Sequence, residues 1–321
     1  MEPAPQMDAV PALLTHIGRE MNKVIVGQQD FRNQCLLALL CRGHALLEGV
    51  PGIAKTLTVK TLSRLLELKF QRVQCTSDLM PADIVGTNVL NASASRFELH
   101  KGPVFTDLLL VDEVNRMPPR TQAALLECME EHQVTIDGVR HQLSPMFTVF
   151  ATQNPVEFEG TYPLPEAQLD RFLLKIRVDY PKSQEEVTLL ANVHNGFDSR
   201  ELDAIDLVPL TPDLLKRAQA EVSSVKVEEA LFAYIVQVVR RTRDWPSISL
   251  GASPRAAVSL LLTAKAMAAM DQRDYLIPDD VKAAALPVLR HRIVLKPEAD
   301  LEGITADHAL TDVLRAVEVP K

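Results

Sequence analysis

The sequence predicts an α/β domain built on a parallel β-sheet, followed by a smaller helical domain. Three observations predict this fold class. Short apolar runs such as Leu108–Val111 and Phe147–Thr152 are typical of buried parallel strands, and helical segments alternate with them. At 45–66 a short apolar run, typical of a strand, is followed by a glycine-containing loop and then by apolar residues at helical spacing. From Ser183 to Leu289 the signal is helical throughout, which is typical of a small helical bundle.

The length of 321 residues suggests two domains, each large enough for its own hydrophobic core. Tyr180-Pro181-Lys182 separates the mixed pattern from the helical one, so we predict domains at 1–181 and 182–321. The formal net charge of −8 argues against nonspecific nucleic-acid binding as the main activity. We therefore expect no stable nucleic-acid partner.

The cysteines and the amino terminus indicate the compartment. Four cysteines without CxxC spacing predict reduced, mostly buried thiols rather than zinc ligands. No stretch approaches the roughly 18 apolar residues that a membrane span needs. Met1–Val10 lacks the basic start and apolar core of a signal peptide. We expect a soluble, cytoplasmic protein without membrane insertion.

The glycine-containing loop predicts a polyphosphate site. Ala45-Leu46-Leu47 predicts the first strand, and the loop that follows ends in Lys55-Thr56 at the start of a helix. Such loops wrap backbone N–H groups around phosphates, while the lysine reaches the β/γ-phosphates and the threonine supplies a hydroxyl to Mg²⁺. The usual pattern has glycine before the lysine, where this chain has Ala54. The alternative is a Gly/Pro turn before an amphipathic helix that happens to contain a lysine.

Polar residues follow two of the predicted core strands. Asp112-Glu113 come directly after Leu108–Val111, at the carboxyl edge where open α/β sheets bind ligands. Asp112 can hold Mg²⁺, directly or through water, and Glu113 can polarise a water for attack on the γ-phosphate. Asn154 follows the strand at 147–152 in the same way. The alternative for the two acids is a solvated acidic loop.

Two hairpins interrupt the alternation of strands and helices. The first hairpin joins Thr87–Asn91 to Arg96–Leu99, and the second joins Val134–Ile136 to Val139–Leu143 across Asp137-Gly138. A polar stretch at 76–86 precedes the first hairpin and reads as a turn, and Glu157–Pro165 is predicted as a loop. The helices are predicted at 13–23, 30–42, 121–131, 166–172, 183–193, 212–222, 227–243, 254–270 and 278–289, with Asp30, Thr211 and Ser253 as capping residues.

Arg255 stands in the first turn of the helix predicted at 254–270. A cation there opposes the helix dipole, so its presence suggests an anionic partner. The alternative is an arginine that points into solvent.

In combination, these segments resemble the MoxR family of AAA+ ATPases. Gly49–Thr56 is similar to the family's Walker A, and Leu108–Glu131 is similar to its Walker B with the following helix. Ala151–Pro155 resembles sensor 1. Leu164–Phe172 resembles the arginine-finger segment, and Gly251–Ala256 resembles sensor 2. The family's usual Walker A also has alanine before the lysine, so the departure at Ala54 carries less weight. The resemblance extends from Val26 to about Leu289.

The resemblance implies an AAA+ P-loop NTPase core, a parallel sheet flanked by helices, with a helix-2 insert hairpin and a pre-sensor-1 hairpin, plus a small all-helical lid domain. It also implies ATP and Mg²⁺ as cofactors, with Thr56 and Asp112 organising the metal. The residues expected to bind the nucleotide are Val26, Gly27, Gly49, Val50, Pro51, Gly52, Ile53, Ala54, Lys55, Thr56 and Leu57. For Val26-Gly27 an ordinary helix-to-strand turn is the alternative to an adenine pocket.

The catalytic residues implied by the resemblance are Glu113, Asn154, Arg171 and Arg255. Glu113 would orient the attacking water with help from Asn154. Arg171 would act as an arginine finger on the neighbouring subunit's ATP, because it lies far along the sheet from the P-loop in this type of fold. Whether Arg255 acts in its own chain or on a neighbour stays open. Arg116 could also contact a neighbour but is outside the core set.

The family resemblance further implies a ring of six identical subunits that remodels a protein client, as in complex maturation or metal-centre insertion. A von Willebrand factor A domain protein is the partner class that the resemblance suggests. The main alternatives are the ATPase motor subunit of a metal chelatase and a nucleic-acid-associated AAA+ machine. A nucleotide-binding scaffold that does not hydrolyse is disfavoured, because such a protein does not need Glu113.

Overall fold

The computed structural model describes residues 7–93, 95–154 and 160–320. Residues 1–6, 94 and 155–159 lie outside this description. They include Pro155 of the sensor 1 segment and the start of the loop predicted at 157–165. Up to the predicted boundary the elements are α1 (Ala9–Met21), α2 (Gln29–Leu40), β1 (Ala45–Glu48), α3 (Lys55–Leu65), β2 (Phe70–Gln74), α4 (Pro81–Val85), β3 (Gly86–Asn91), β4 (Arg96–Lys101), β5 (Leu108–Asp112), α5 (Pro119–Glu131), β6 (Gln133–Ile136), β7 (Val139–Gln142), β8 (Thr148–Gln153), α6 (Glu166–Leu169) and β9 (Leu174–Arg177).

A five-stranded parallel sheet forms the centre, in the order β2-β5-β8-β1-β9. Every residue of β5 is buried, as the continuous apolar run predicts. Gln74 pairs with Asp112, and Leu47 pairs with Thr152, so the carboxyl ends of four strands meet at one edge. The predicted parallel α/β fold is confirmed, and this edge carries the candidate site.

Both predicted hairpins are present as separate antiparallel pairs, β3–β4 and β6–β7. The side-chain amide of Asn88 in β3 donates to Asp137 Oδ2 in the turn of the second hairpin over 2.7 Å, which joins the two. The stretch at 76–86 differs from the prediction, because it contains the short helix α4. Pro81 at its first position and Asp83, which accepts the Met80 backbone N–H, account for this helix.

The remainder of the chain is mainly helical. Its elements are α7 (Ser183–His194), α8 (Pro212–Ser224), α9 (Glu229–Arg241), β10 (Ile248–Leu250), α10 (Pro254–Met270), α11 (Pro278–Leu289), β11 (Val294–Leu295), α12 (Pro297–Leu301) and α13 (Ala306–Ala316). The antiparallel pair β10–β11 was not predicted, and it adds a small sheet to the helical lid.

The capping prediction for Asp30 is wrong, because α2 begins after Gln28 and Asp30 lies in its first turn. Thr211 and Ser253 occupy the predicted N-cap positions of α8 and α10, but neither side chain makes a capping bond. The Ser253 hydroxyl instead donates to Asp170 Oδ2 over 2.9 Å. The helix that precedes Arg171 is also shorter than predicted, since α6 ends at Leu169.

The first helix connects the two parts of the chain. The α1 helix packs against α3 and against α8. The carboxylate of Glu221 in α8 accepts the backbone N–H groups of Asp8, Ala9 and Val10 over 2.7 to 3.1 Å, which satisfies N–H groups that a helix start leaves unpaired. The division at 181/182 remains a prediction. No helix among the described residues is long and apolar enough to cross a membrane.

Candidate nucleotide site

The loop between β1 and α3 has the geometry of a phosphate cradle. Ala54 adopts the left-handed conformation (φ 61°) immediately before α3, which begins at Lys55. The Lys55 ammonium folds back over the loop and donates to the Gly49 carbonyl over 2.5 Å. The unpaired N–H groups at the start of α3 and the helix dipole favour an anion at this place.

Burial lowers the pKa of the Lys55 ammonium, while the carboxylates of Asp112, Glu113 and Glu48 act in the opposite direction. A partly desolvated cation gains more from a nearby anion than an exposed cation does. Lys55 is therefore placed to bind a phosphate group strongly.

Asp112, at the end of β5, is held by three side chains. Its Oδ2 accepts from Thr56 Oγ1 at 3.5 Å and from Arg72 Nε at 2.6 Å, and its Oδ1 accepts from Thr152 Oγ1 at 3.2 Å. A threonine hydroxyl beside a carboxylate is a set of hard oxygen donors that suits Mg²⁺, which is usually held by one or two protein ligands together with phosphates and water. The donor set at Thr56 and Asp112 therefore fits the predicted metal.

Glu113 follows with a left-handed backbone (φ 57°) that turns the chain out of the sheet. Its backbone N–H donates to Thr152 Oγ1 over 2.9 Å. Its Oε2 accepts from Gln74 Nε2 at 3.3 Å and pairs with Arg116 Nε at 2.9 Å. Asn154, which is 7% exposed, lies at the end of the neighbouring strand β8 and lines the same cavity as Glu113. The two groups predicted to orient water therefore line the same cavity.

The cavity above this edge has a volume of about 930 Å³. Its apolar lining includes Val24, Ile25 and Val26 together with Leu189 and Val193 of α7. Charged side chains at the sheet edge line it as well. A nucleotide has a largely apolar base and charged phosphates, so a cavity with both kinds of lining suits it.

Most residues of the predicted nucleotide set line this cavity. The predicted residues that line it are Val26, Pro51, Gly52, Ile53, Ala54, Lys55, Thr56, Leu57, Asp112, Glu113 and Asn154. Gly27, Gly49 and Val50 are not among its lining residues. Their proposed contacts with the nucleotide remain predictions.

Gly27 and Gly49 have a structural reason to be glycine. A Cβ on Gly27 would lie 2.1 Å from the carboxyl carbon of Glu185, and a Cβ on Gly49 would lie 2.6 Å from the Val178 carbonyl oxygen. Glu185 accepts the Lys182 backbone N–H over 2.9 Å at the start of α7. Gly27 also lies in the left-handed region (φ 66°), which favours glycine, and the Glu185 carboxylate of α7 lies against it.

Arg171 and Arg255 lie together, but outside this cavity. Arg171 Nη2 is 3.0 Å from Glu130 Oε2, and Arg255 Nη2 is 2.5 Å from Glu130 Oε1. Both arginines line a second depression of about 400 Å³. Asp170, next to Arg171, is fixed by a 2.7 Å ion pair with the buried Arg292. The helical lid thus presents Arg255 beside the arginine-finger candidate rather than over the P-loop of its own chain.

Sequence reasoning missed several residues that line the cavity. Arg72 and Gln74 of β2, Thr152 of β8, and Leu189 of α7 were not predicted as site residues. Arg72 and Gln74 are two apart in a strand, so both face the same way, and this spacing was the available signal. No comparable signal marks Leu189, because its place depends on how α7 packs.

Comparison with known proteins agrees with this geometry. The family model described as "ATPase family associated with various cellular activities (AAA)" matches residues 44–174, and the AAA lid domain model matches residues 240–313. The crystal structure of a candidate ATPase from Cytophaga hutchinsonii is 41% identical and superposes with a TM-score of 0.89, covering 98% of this chain and 97% of that one.

Curated relatives identify the branch. The chain is 44% identical to the uncharacterized protein YeaC of Bacillus subtilis over 96% of its own length and 95% of the relative's. It is 42% identical to Chaperone MoxR1 of Mycobacterium tuberculosis over 94% of its length and 81% of the relative's. Protein MoxR of Paracoccus denitrificans is 31% identical over 86% and 87%. The chain therefore belongs to the MoxR family of AAA+ ATPases.

Proposed function

We propose that this protein is a Mg²⁺-dependent ATPase whose hydrolysis site is completed between neighbouring copies of a homo-oligomeric ring. The observation that carries the proposal is the pairing of Arg171 and Arg255 through Glu130, outside the cavity that holds Lys55 and Glu113. The two grouped cations line one depression and the phosphate cradle lines a separate cavity, so cations of one copy can complement the phosphate site of another. A head-to-tail contact between copies brings such surfaces together, and repeating it with closure gives a ring.

Within one chain, each group at the sheet edge has a separate task. Lys55 and the loop amides bind the phosphates. Thr56 and Asp112 would hold Mg²⁺, which would supply charge neutralisation at the phosphoryl oxygens. Glu113 accepts a proton from the attacking water, and the Asn154 amide holds that water in line. Gln74 donates a hydrogen bond to the Glu113 carboxylate and Arg116 forms an ion pair with it, and the two contacts set its direction.

Arg171 and Arg255 supply positive charge to the γ-phosphate of the neighbouring copy. Phosphoryl transfer depends on positioning and charge neutralisation, so a site without these cations binds nucleotide but turns over slowly. The shared partner Glu130 holds the two guanidinium groups side by side before the neighbour arrives. Both arginines therefore act in trans.

We further propose that the ring has six subunits, works in the cytoplasm and remodels a protein client. The similarity to Chaperone MoxR1 supports a remodelling role. The four cysteines are free, which fits a reducing compartment. A von Willebrand factor A domain protein is the partner class that we propose, either as client or as adaptor.

The test of the ATPase separates binding from turnover. Lys55→Ala should abolish nucleotide binding, whereas Glu113→Gln should bind ATP within about threefold of wild type and lose at least about 100-fold in phosphate release. Calorimetric affinity and a phosphate-release assay measure the two effects, with thermal unfolding as the control for folding. Wild-type turnover in Glu113→Gln would contradict the assigned role of Glu113.

A further inference from the structure

Arg72 shares one oxygen of Asp112 with the predicted metal site. Arg72 Nε lies 2.6 Å from Asp112 Oδ2, and Thr56 Oγ1 lies 3.5 Å from that same oxygen. The other oxygen, Oδ1, accepts from the buried Thr152 hydroxyl. Protein groups therefore use both oxygens of this carboxylate, and Oδ2 is the one directed at Thr56.

A magnesium ion between Thr56 and Asp112 would need Oδ2. Mg²⁺ takes oxygen ligands in a strict octahedral arrangement and tolerates little displacement of them. A guanidinium group already bonded to that oxygen blocks one approach and adds a repelling positive charge. The ion pair between Arg72 and Asp112 must therefore break, or lengthen, before the metal can bind there directly or through a water.

The two partners of this ion pair differ in freedom. The Asp112 side chain is 9% exposed, whereas the Arg72 side chain is 51% exposed and both residues line the nucleotide cavity. Asp112 is also fixed by Thr152, while Arg72 has a second partner in Gln74, whose Oε1 accepts from Arg72 Nη2 at 3.1 Å. Arg72 is therefore the partner that moves, and Gln74 keeps it close to the cavity wall.

We propose that Arg72 is a positioning residue that competes with Mg²⁺ for Asp112. In the absence of metal, Arg72 holds the Asp112 carboxylate in the orientation that the metal later uses. Binding of the metal then releases Arg72 from the carboxylate. This inference rests on the proposed Mg²⁺-dependent function. Its consequence is that the protein requires more Mg²⁺ to bind nucleotide than the same site would require without Arg72.

The test measures metal requirement rather than activity. Wild-type protein is mixed with a fluorescent ADP analogue, which is not hydrolysed, and Mg²⁺ is titrated into the mixture. The recorded quantity is the Mg²⁺ concentration at which half of the metal-dependent change in ADP binding has occurred. Arg72→Gln and Arg72→Met should lower this concentration about fivefold to tenfold, because the competing charged hydrogen bond is gone. Arg72→Lys should return it toward the wild-type value.

Arg116→Gln is the matched control. It removes the same charge next to Glu113, but its ion pair is with Glu113 rather than Asp112. A general effect of charge would shift the metal requirement equally in Arg116→Gln and Arg72→Gln, and that result would overturn the proposal. An unchanged or raised requirement in both Arg72→Gln and Arg72→Met, with wild-type thermal unfolding, would also overturn it. If ADP binding to the wild-type protein did not depend on Mg²⁺, that result would contradict the proposed function and this inference together.

Discussion

The backbone N–H of Glu113 donates a 2.9 Å hydrogen bond to the hydroxyl of Thr152. The same hydroxyl donates to Oδ1 of Asp112 at 3.2 Å. A single buried side chain on β8 therefore fixes both acids at the end of β5, the one assigned to metal and the one assigned to water. The link explains how two adjacent residues with different tasks keep a defined separation.

Thr152→Val tests this link. Valine has the same shape but leaves the Glu113 N–H and one Asp112 oxygen without their partner, which should cost about 1–3 kcal/mol of stability. We expect turnover to fall about 10- to 100-fold, because the water-orienting acid loses its position, while ATP affinity changes less. Chemical unfolding and steady-state kinetics measure both effects. Thr152→Ser keeps the hydroxyl and should stay near wild type; equal losses in the two variants would count against the hydrogen bonds.

The fold was predictable where local pattern decides the structure. The apolar run Leu108–Val111 is buried because β5 lies inside the sheet, and Asp137-Gly138 forms the turn that its residues favour. The pair β10–β11 was missed because β11 has only two residues, Val294–Leu295, too few for any periodicity. Its partner strand β10 lies more than forty positions earlier in the chain; Ile248 of β10 pairs with Leu295 of β11.

The candidate site also has one part that the local sequence predicts and another part that depends on tertiary packing. The loop from Gly49 to Thr56 is continuous in sequence, so its residues could be identified from their order alone. Arg72 reaches Asp112 only because β2 and β5 are neighbours in the sheet. The sequence indicated an anionic partner for Arg255, and the structure supplies Glu130, which is 125 residues away. Contacts of this length depend on the packing of the lid, which no local pattern records.

Ala54 provides a test of the loop's backbone. An alanine in the left-handed region costs about 1–2 kcal/mol, and glycine removes that strain but increases the entropy of the unfolded chain. Ala54→Gly should therefore raise the free energy of unfolding by only about 0.5 kcal/mol and keep nucleotide affinity. Ala54→Val, with a β-branched side chain, should lower it by about 1–2 kcal/mol and weaken ATP binding. Urea unfolding measures both; a valine variant as stable as wild type would show that the loop adopts another conformation.

His44 predicts a loss of stability in mild acid. Its Nε2 donates to the Met129 carbonyl at 3.0 Å and its Nδ1 accepts the Val149 N–H at 2.9 Å, which defines a neutral ring. Burial lowers the pKa of His44 to about 4, against an ordinary value of 6.5. Between these values the unfolded chain binds a proton that the folded chain excludes, so stability falls as pH decreases, by at most about 1.4 kcal/mol for each pH unit from this group.

The measurement is the free energy of unfolding from pH 7.5 to 4.5 in wild type and in His44→Asn. Asparagine keeps an acceptor for the Val149 N–H but has no proton to gain. The variant should start less stable and lose less stability on acidification. Parallel pH profiles for the two proteins would mean that His44 does not cause the loss.

The central claim, that catalysis requires Arg171 of one copy and Glu113 of the next, is tested most directly by mixing two inactive variants. Arg171→Ala should bind ATP within a few-fold of wild type yet lose about 10³-fold or more in turnover, since arginine fingers act on the transition state. Glu113→Gln should also be inactive. In a mixture, an interface between the intact Glu113 of one variant and the intact Arg171 of the other forms a complete site, so ATP hydrolysis should reappear. A mixture that stays inactive, with subunit exchange demonstrated by labelled protein, would contradict the claim.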